Sequence, residues 1–195
     1  MTAAEEPLVV ENFDAEPQAV TPDGLSFLYT LSDPATRADI WMRPIAAEGK
    51  PVKVIGTKYD DDAAALSHDG KWIAYASDET GRSEVYVQAF PKATDRWQVT
   101  TDGGFGPRWS SDSRQLFYGA ISPERIVWAS VSAAPDGGLQ FGKPTTVYQG
   151  VVTGYDVARD GRVLILRRDP AAPPATVHVV VNWFEELKRK IAGTR

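Results

Sequence analysis

Apolar residues in this chain arrive in short runs separated by polar turns, with no long amphipathic stretch until the C-terminal end. Runs such as Trp72-Ile73-Ala74-Tyr75 and Val85-Tyr86-Val87 are rich in aromatic and β-branched residues, which suit strands. Some alternate with polar positions and others are continuous, the pattern of strands packed on both faces. Four times a run meets an Asp-centred turn: Val20-Thr21-Pro22-Asp23-Gly24, Leu66-Ser67-His68-Asp69-Gly70, Trp109-Ser110-Ser111-Asp112-Ser113 and Val157-Ala158-Arg159-Asp160-Gly161. Each predicts a tight hairpin with both central positions at positive φ, which Gly24, Gly70 and Gly161 tolerate freely and Asp better than most residues. Asp23, Asp69, Asp112 and Asp160 are therefore assigned to structure.

These aspartates lie 46, 43 and 48 residues apart. A repeat of that length, divided into four short strands, predicts β-propeller blades. In the second repeat the strands fall at 63–67, 71–76, 84–90 and 97–100. The first repeat gives 26–30, 39–45 and 52–55 after its turn, and the third gives 115–118, 125–131 and 145–148. In the fourth, 163–166 and 176–181 follow the turn, and no outer strand comes next. The fold predicted is all-β, with four four-stranded blades at about 16–59, 60–103, 104–150 and 151–181.

Two end segments complete the 1–181 propeller region and its tail. Residues 7–11 contain the apolar triplet Leu8-Val9-Val10, an extra outer strand. It either closes a ring against the fourth blade or belongs to a further blade of a larger propeller, and both alternatives stand. Residues 182–195 predict a helix and tail: Trp183, Phe184, Leu187 and Ile191 share one face, and Asn182 is an N-cap. Glu185 with Arg189 and Glu186 with Lys190 are i,i+4 pairs in the favourable order.

Composition narrows the function classes. The 195-residue chain is 43% hydrophobic, ordinary for a globular protein, with a formal net charge of −5 that provides no field for nucleic acid. Its dense basic clusters, Arg167-Arg168 and Lys188-Arg189-Lys190, are flanked by acidic residues. No run is long enough to span a bilayer, and the first residues lack the basic and apolar regions of a secretory signal. With no cysteine, disulfides, thiol nucleophiles and Cys-ligated zinc are excluded.

The run Leu66-Ser67-His68-Asp69-Gly70-Lys71-Trp72-Ile73-Ala74-Tyr75-Ala76-Ser77-Asp78, followed by Gly81 and Glu84-Val85-Tyr86-Val87, resembles the repeat of TolB-type propellers. The family's usual Pro before Asp is present as Pro22 and replaced by His68, Ser111 and Arg159, and its Trp is present at Trp109 alone. The likeness covers about residues 16–181. The tail Val180-Val181-Asn182-Trp183-Phe184-Glu185-Glu186-Leu187-Lys188 is similar to the ending of propeller regions fused behind bacterial eukaryotic-like Ser/Thr protein kinases. That resemblance implies a sensor or protein-interaction module. Kinase motifs themselves are absent from this sequence. The compartment implied is cytoplasmic if Met1 is the native start, and extracytoplasmic or periplasmic if the chain is a piece of a membrane-anchored sensor kinase.

Catalysis finds no support in the residues. A Ser peptidase of this propeller class needs a Gly-x-Ser-x-Gly elbow with a His base, and no such elbow occurs. Of the two histidines, His178 falls in an apolar strand slot and His68 in a turn. The carboxylates Asp60, Asp61 and Asp62 precede the second inner strand, on the rim shared with loops around Asp14, Asp102 and Asp156. Solvated turns are the favoured reading, over a Ca²⁺ site. Arg108 and Asp156 each lie four residues before a turn aspartate, where the first two repeats have Ala19 and Ala65. An ion pair between adjacent inner strands is the favoured reading, over a polar channel mouth that takes a ligand. Phe105, with Gly103 and Gly104, forms a flexible rim loop that is the predicted contact surface.

The function expected is a noncatalytic propeller module for protein interaction or sensing, part or relative of a kinase sensor region. The alternative is a ligand- or Ca²⁺-binding propeller related to those of Ser peptidases. A protein or small ligand on the loop rim is the expected partner, with no cofactor, resident metal, nucleic acid or membrane insertion. A homodimer would build an eight-blade ring from two copies.

Overall fold

The computed structural model describes residues 13–46, 49–92, 95–135 and 137–167. No helix occurs among them, and antiparallel sheets follow one another with their strands in chain order. Blade 1 comprises β1 (Asp14–Val20), β2 (Ser26–Asp33), β3 (Arg37–Pro44) and β4 (Val52–Ile55). Blade 2 comprises β5 (Asp61–Leu66), β6 (Trp72–Ser77), β7 (Glu84–Ala89) and β8 (Arg96–Gln98). Blade 3 contains β9 (Gly104–Trp109), β10 (Gln115–Ala120), β11 (Arg125–Ala133), β12 (Leu139–Phe141) and β13 (Thr145–Gln149). The hairpin of β14 (Gly154–Val157) and β15 (Val163–Leu166) opens blade 4. The expected strands at 7–11 and 176–181 and the helix at 182–195 lie outside the described residues.

Every expected strand within those residues is present, with its ends shifted by at most three residues. Blade 3 adds one that the pattern does not predict. β11 is nine residues long, and its two halves take different outer partners: Arg125–Trp128 pairs with β13, and Val131–Ala133 with β12. Leu139 and Phe141 on β12 pack against the buried core, which secures a strand too short to signal itself by periodicity.

The hairpin turns also differ from expectation. Positive φ falls on the residue after each aspartate, at Gly24, Gly70, Ser113 and Gly161, and on none of the aspartates. The N–H of each of these four residues donates to the C=O three positions back, at Thr21, Ser67, Ser110 and Ala158. This is an ordinary turn followed by one left-handed residue, a geometry that asks special conformational freedom of one position only. Ser113 adopts it with a side chain, at φ 60°.

A second regularity lies on the inner strands. In β1, β5 and β9 one extra residue is accommodated opposite a tyrosine of the neighbouring strand, at Tyr29, Tyr75 and Tyr118. Such bulges re-aim the side chains that follow them. Ala63 and Gly106 take positive φ within two of these bulges.

The core sits at the junctions between blades. Leu28, Ile40 and Ile55 of blade 1 meet Ile73, Tyr75 and Tyr86 of blade 2. Ala74, Val85 and Val87, on the other face of blade 2, meet Leu116, Tyr118, Val127 and Ala129 of blade 3. Strand alternation thus gives blade 2 two apolar faces, each buried large side chain contributing about 1.5–3 kcal/mol.

Candidate functional site

The turn aspartates are held by hydroxyls. Thr21, Ser67 and Ser110 each donate a 2.6 Å hydrogen bond to the aspartate two residues on, and their oxygens accept from Ser26, Trp72 and Gln115 N–H. The same carboxylates accept from the N–H of Leu25, Lys71 and Arg114. The Thr21 and Ser110 hydroxyls, then the Leu25 and Arg114 amides, hold the Asp23 and Asp112 carboxyls below their usual range. Blade 4 has Ala158 at the hydroxyl position. Its hairpin pairs Val157 with Val163, one residue tighter than Leu66 with Ile73. These hydroxyls were not singled out from the sequence, although the Thr/Ser-x-Asp spacing repeats three times.

The three adjacent aspartates do not converge. Asp60 is paired with Arg37, which also bonds Asp78 at 2.9 Å, and Asp60 Oδ1 accepts the Ala38 N–H. This clamp ties blade 1 to blade 2, and Arg37 keeps the Asp60 carboxyl below its ordinary value. Asp61 belongs to β5 and is fully buried, its Oδ2 accepting the Thr57 N–H at 3.0 Å. Burial raises its pKa. Asp62 is exposed. Among the described residues no group of three or more His, Cys, Asp or Glu is placed to hold a metal ion.

Phe105 is part of a strand, contrary to the flexible loop expected from Gly103 and Gly104. It sits on β9 opposite Gly119 of β10, and a Cβ at Gly119 would fall 2.2 Å from the ring. Its ring takes the space that a side chain would occupy there. Nearby, the fully buried Glu84 accepts the Gly103 N–H at 3.0 Å and Arg82 Nε at 2.9 Å, and Thr100 Oγ1 also donates to it. Glu84 thereby holds the connection from blade 2 to blade 3 against the end of β7.

Arg108 and Asp156 do not form the expected ion pair. Arg108 Nη1 donates to the Pro107 C=O at 2.8 Å, and Asp156 Oδ1 accepts the Val157 N–H. Both are next to the last residue of their inner strands, at the turn end, whereas Asp60, Asp102 and Phe105 stand at the opposite end. The seven predicted binding residues therefore do not form one site. Arg108 and Asp156 instead line a cavity of about 510 Å³ with Gln18, Ala65, His68 and Tyr155, drawn from all four inner strands and one turn. Tyr155 closes one side, its hydroxyl donating to the Gly106 C=O across the blade junction, and burial raises its pKa. Arg108 and Asp156 bring one cation and one anion to this cavity, and neither pairs with another charged side chain among the described residues.

A second cavity, about 280 Å³, opens where Val99–Gly103 crosses the end of blade 3. Register places Asp39, Glu84 and Arg125 at equivalent positions, each two residues before the partner of Tyr29, Tyr75 or Tyr118. Asp39 is neutralised by Lys53 at 2.6 Å, and Glu84 as described above. Arg125 reverses the charge, and its Nε is buried without a hydrogen-bond partner. An unmet buried donor costs about 1–3 kcal/mol, more when charged.

No protein-family model matches the chain, and no curated protein matches it by sequence. Solved structures do. TolB from Acinetobacter baumannii is similar with a TM-score of 0.64 at 16% identity, over 85% of this chain and 40% of that one. A TolB-type protein from Agrobacterium tumefaciens gives 0.61 at 19% identity, over 80% and 59%. The β-propeller domain of the Trilobed protease from Pyrococcus furiosus gives 0.51 at 14%, over 81% and 50%. The chain thus spans 40 to 59% of the length of these structures. Antiparallel blades in chain order, cores at the blade junctions and these likenesses together establish the fold of this chain as a β-propeller, similar to the solved TolB structures.

Proposed function

We propose that this propeller module is noncatalytic and serves protein interaction or sensing, as a part or relative of the sensor region of a bacterial Ser/Thr kinase. One observation carries the reading: Arg108 and Asp156 face a shared channel wall without pairing, while other charged groups, such as Arg37 with Asp60 and Lys53 with Asp39, hold the blades. Side chains spent on neither folding nor blade contact are those available to a partner. The absence of a nucleophile elbow from the sequence supports the noncatalytic part, as does the position on an exposed turn of His68, the imidazole that lines the cavity among the described residues.

Affinity capture from the native host with the wild-type chain and with the Arg108→Ala/Asp156→Ala double variant tests the surface. The expected result is a partner retained by the wild type and lost by the variant, at unchanged melting temperature. Equal recovery by both overturns the channel wall as the contact surface. A fluorophosphonate probe is expected to leave the chain unlabelled, and labelling of any serine overturns the noncatalytic reading.

A further inference from the structure

We propose that the cavity between blades 2 and 3 binds a small monocarboxylate through Arg125. The site is separate from the channel wall, so the inference stands independently of the function proposed above. Three observations support it.

The first is the orphaned guanidinium. Arg125 lies on the face of β11 that carries Val127 toward blade 2, and its buried Nε has no partner. No ion pair involves it among the described residues, although the equivalent Asp39 and Glu84 are both paired within their own blades. A guanidinium presents a planar fork of donors that matches a carboxylate bidentately.

The second is the wall. Arg125 shares the cavity with the hydroxyl-bearing residues Thr101, Ser122 and Tyr118 and with the apolar Val99 and Ala120. A few converging polar groups on an apolar wall are the usual make-up of a small-molecule site. Its volume of about 280 Å³ suits a short branched acid.

The third is charge. Asp102 lines the same cavity, and no ion pair or hydrogen bond occupies it among the described residues. One cation and one anion leave the cavity without net charge. Asp102 repels any bound anion, and a doubly charged phosphate about twice as strongly as a monocarboxylate, which sets the preference between the two.

Titration of the full chain with isobutyrate, acetate and inorganic phosphate at matched ionic strength tests this, read by melting temperature and by amide NMR shifts. A ligand of the native state must raise the melting temperature by linkage. Isobutyrate is expected to give a saturable rise up to about 50 mM, with shifts at the Gly103 and Ser122 amides, exceeding those with acetate. Arg125→Gln is expected to weaken it at least tenfold, about the loss of one charge-assisted hydrogen bond. Should Arg125→Gln not fold, Thr101→Phe at the exposed mouth blocks entry while leaving Arg125 in place, and is expected to abolish the response. An absent or unsaturable isobutyrate response, one unchanged in either variant, or tighter binding of phosphate overturns the proposal.

Discussion

Ser67 Oγ donates a 2.6 Å hydrogen bond to Asp69 Oδ1 and in the same geometry accepts the Trp72 N–H at 2.9 Å. The fully buried hydroxyl thus links the turn carboxylate to the returning strand, and the arrangement recurs at Thr21 with Asp23 and at Ser110 with Asp112. In blades 1 to 3 the repeat visible in the chain is a repeat of this device, which blade 4 lacks at Ala158.

Ser67→Ala removes that link and leaves the Trp72 N–H unmet. A loss of about 1–2 kcal/mol is expected in urea unfolding. Asp69→Ala is expected to cost about as much, and the double variant less than the sum, because residues in one network do not add. Additive losses would show that the two side chains act separately.

Acid unfolding reports the same device in blade 3. The Asp112 carboxyl is held below its usual range by the Ser110 hydroxyl first and the Arg114 amide next. A depressed folded pKa contributes stability present above the unfolded value, near pH 4, and lost as pH falls through the folded one. Ser110→Ala is expected to flatten the acid limb of a stability-versus-pH curve below about pH 4. An unchanged limb would assign the depression to the amide instead.

Asp61 acts in the opposite sense. Its carboxyl is fully buried, and burial raises its pKa. A raised folded pKa contributes stability present below about pH 4 and lost as pH rises through the folded value. Asp61→Asn keeps an oxygen for the Thr57 N–H and carries no charge. The variant is expected to gain on the wild type as pH rises from about 4 through the raised folded value and to keep a constant advantage above it, in urea titrations at stepped pH. A pH-independent difference would mean that Asp61 is not the titrating group.

Gly119 and Phe105 are a matched pair. A methyl group on Gly119 meets the Phe105 ring, so Gly119→Ala is expected to cost about 1–3 kcal/mol in overpacking. Phe105→Ala in the same chain is expected to recover most of that loss, measured by thermal unfolding. Failure of the rescue would place the cost in the backbone of β10.

The strands and blades were legible because each depends on neighbours in sequence. Trp72-Ile73-Ala74-Tyr75 and the turn ahead of it carry β-propensity, alternation and a φ > 0 residue within one hairpin. β12 was not legible, since three residues show no period and gain their stability from the core they touch. The candidate site was read only in part. Arg108 and Asp156 were picked out because charge replaces the Ala19 and Ala65 of the other repeats at that inner-strand position, and both do line the channel. Their pairing was expected from strand adjacency, but Arg108 turns to the Pro107 carbonyl just past the β9 bulge. Asp60, Asp61 and Asp62 looked alike as a run of carboxylates. Strand alternation, an arginine from another blade and the Thr57 amide then gave each a different environment.

The amino-acid sequence by itself determined the blade repeat, the hairpins and their turn aspartates, because local conformational preference and period suffice for those. The tertiary structure alone decided which charges are spent between blades and which remain. Register puts Asp39, Glu84 and Arg125 at one position in successive blades. Whether that position is satisfied depends on what the packed strands bring to it, such as Lys53 of β4 for Asp39 and Arg82 with the Gly103 amide for Glu84. Coulomb and hydrogen-bond energies depend on distance in space, and only the packed blades set those distances.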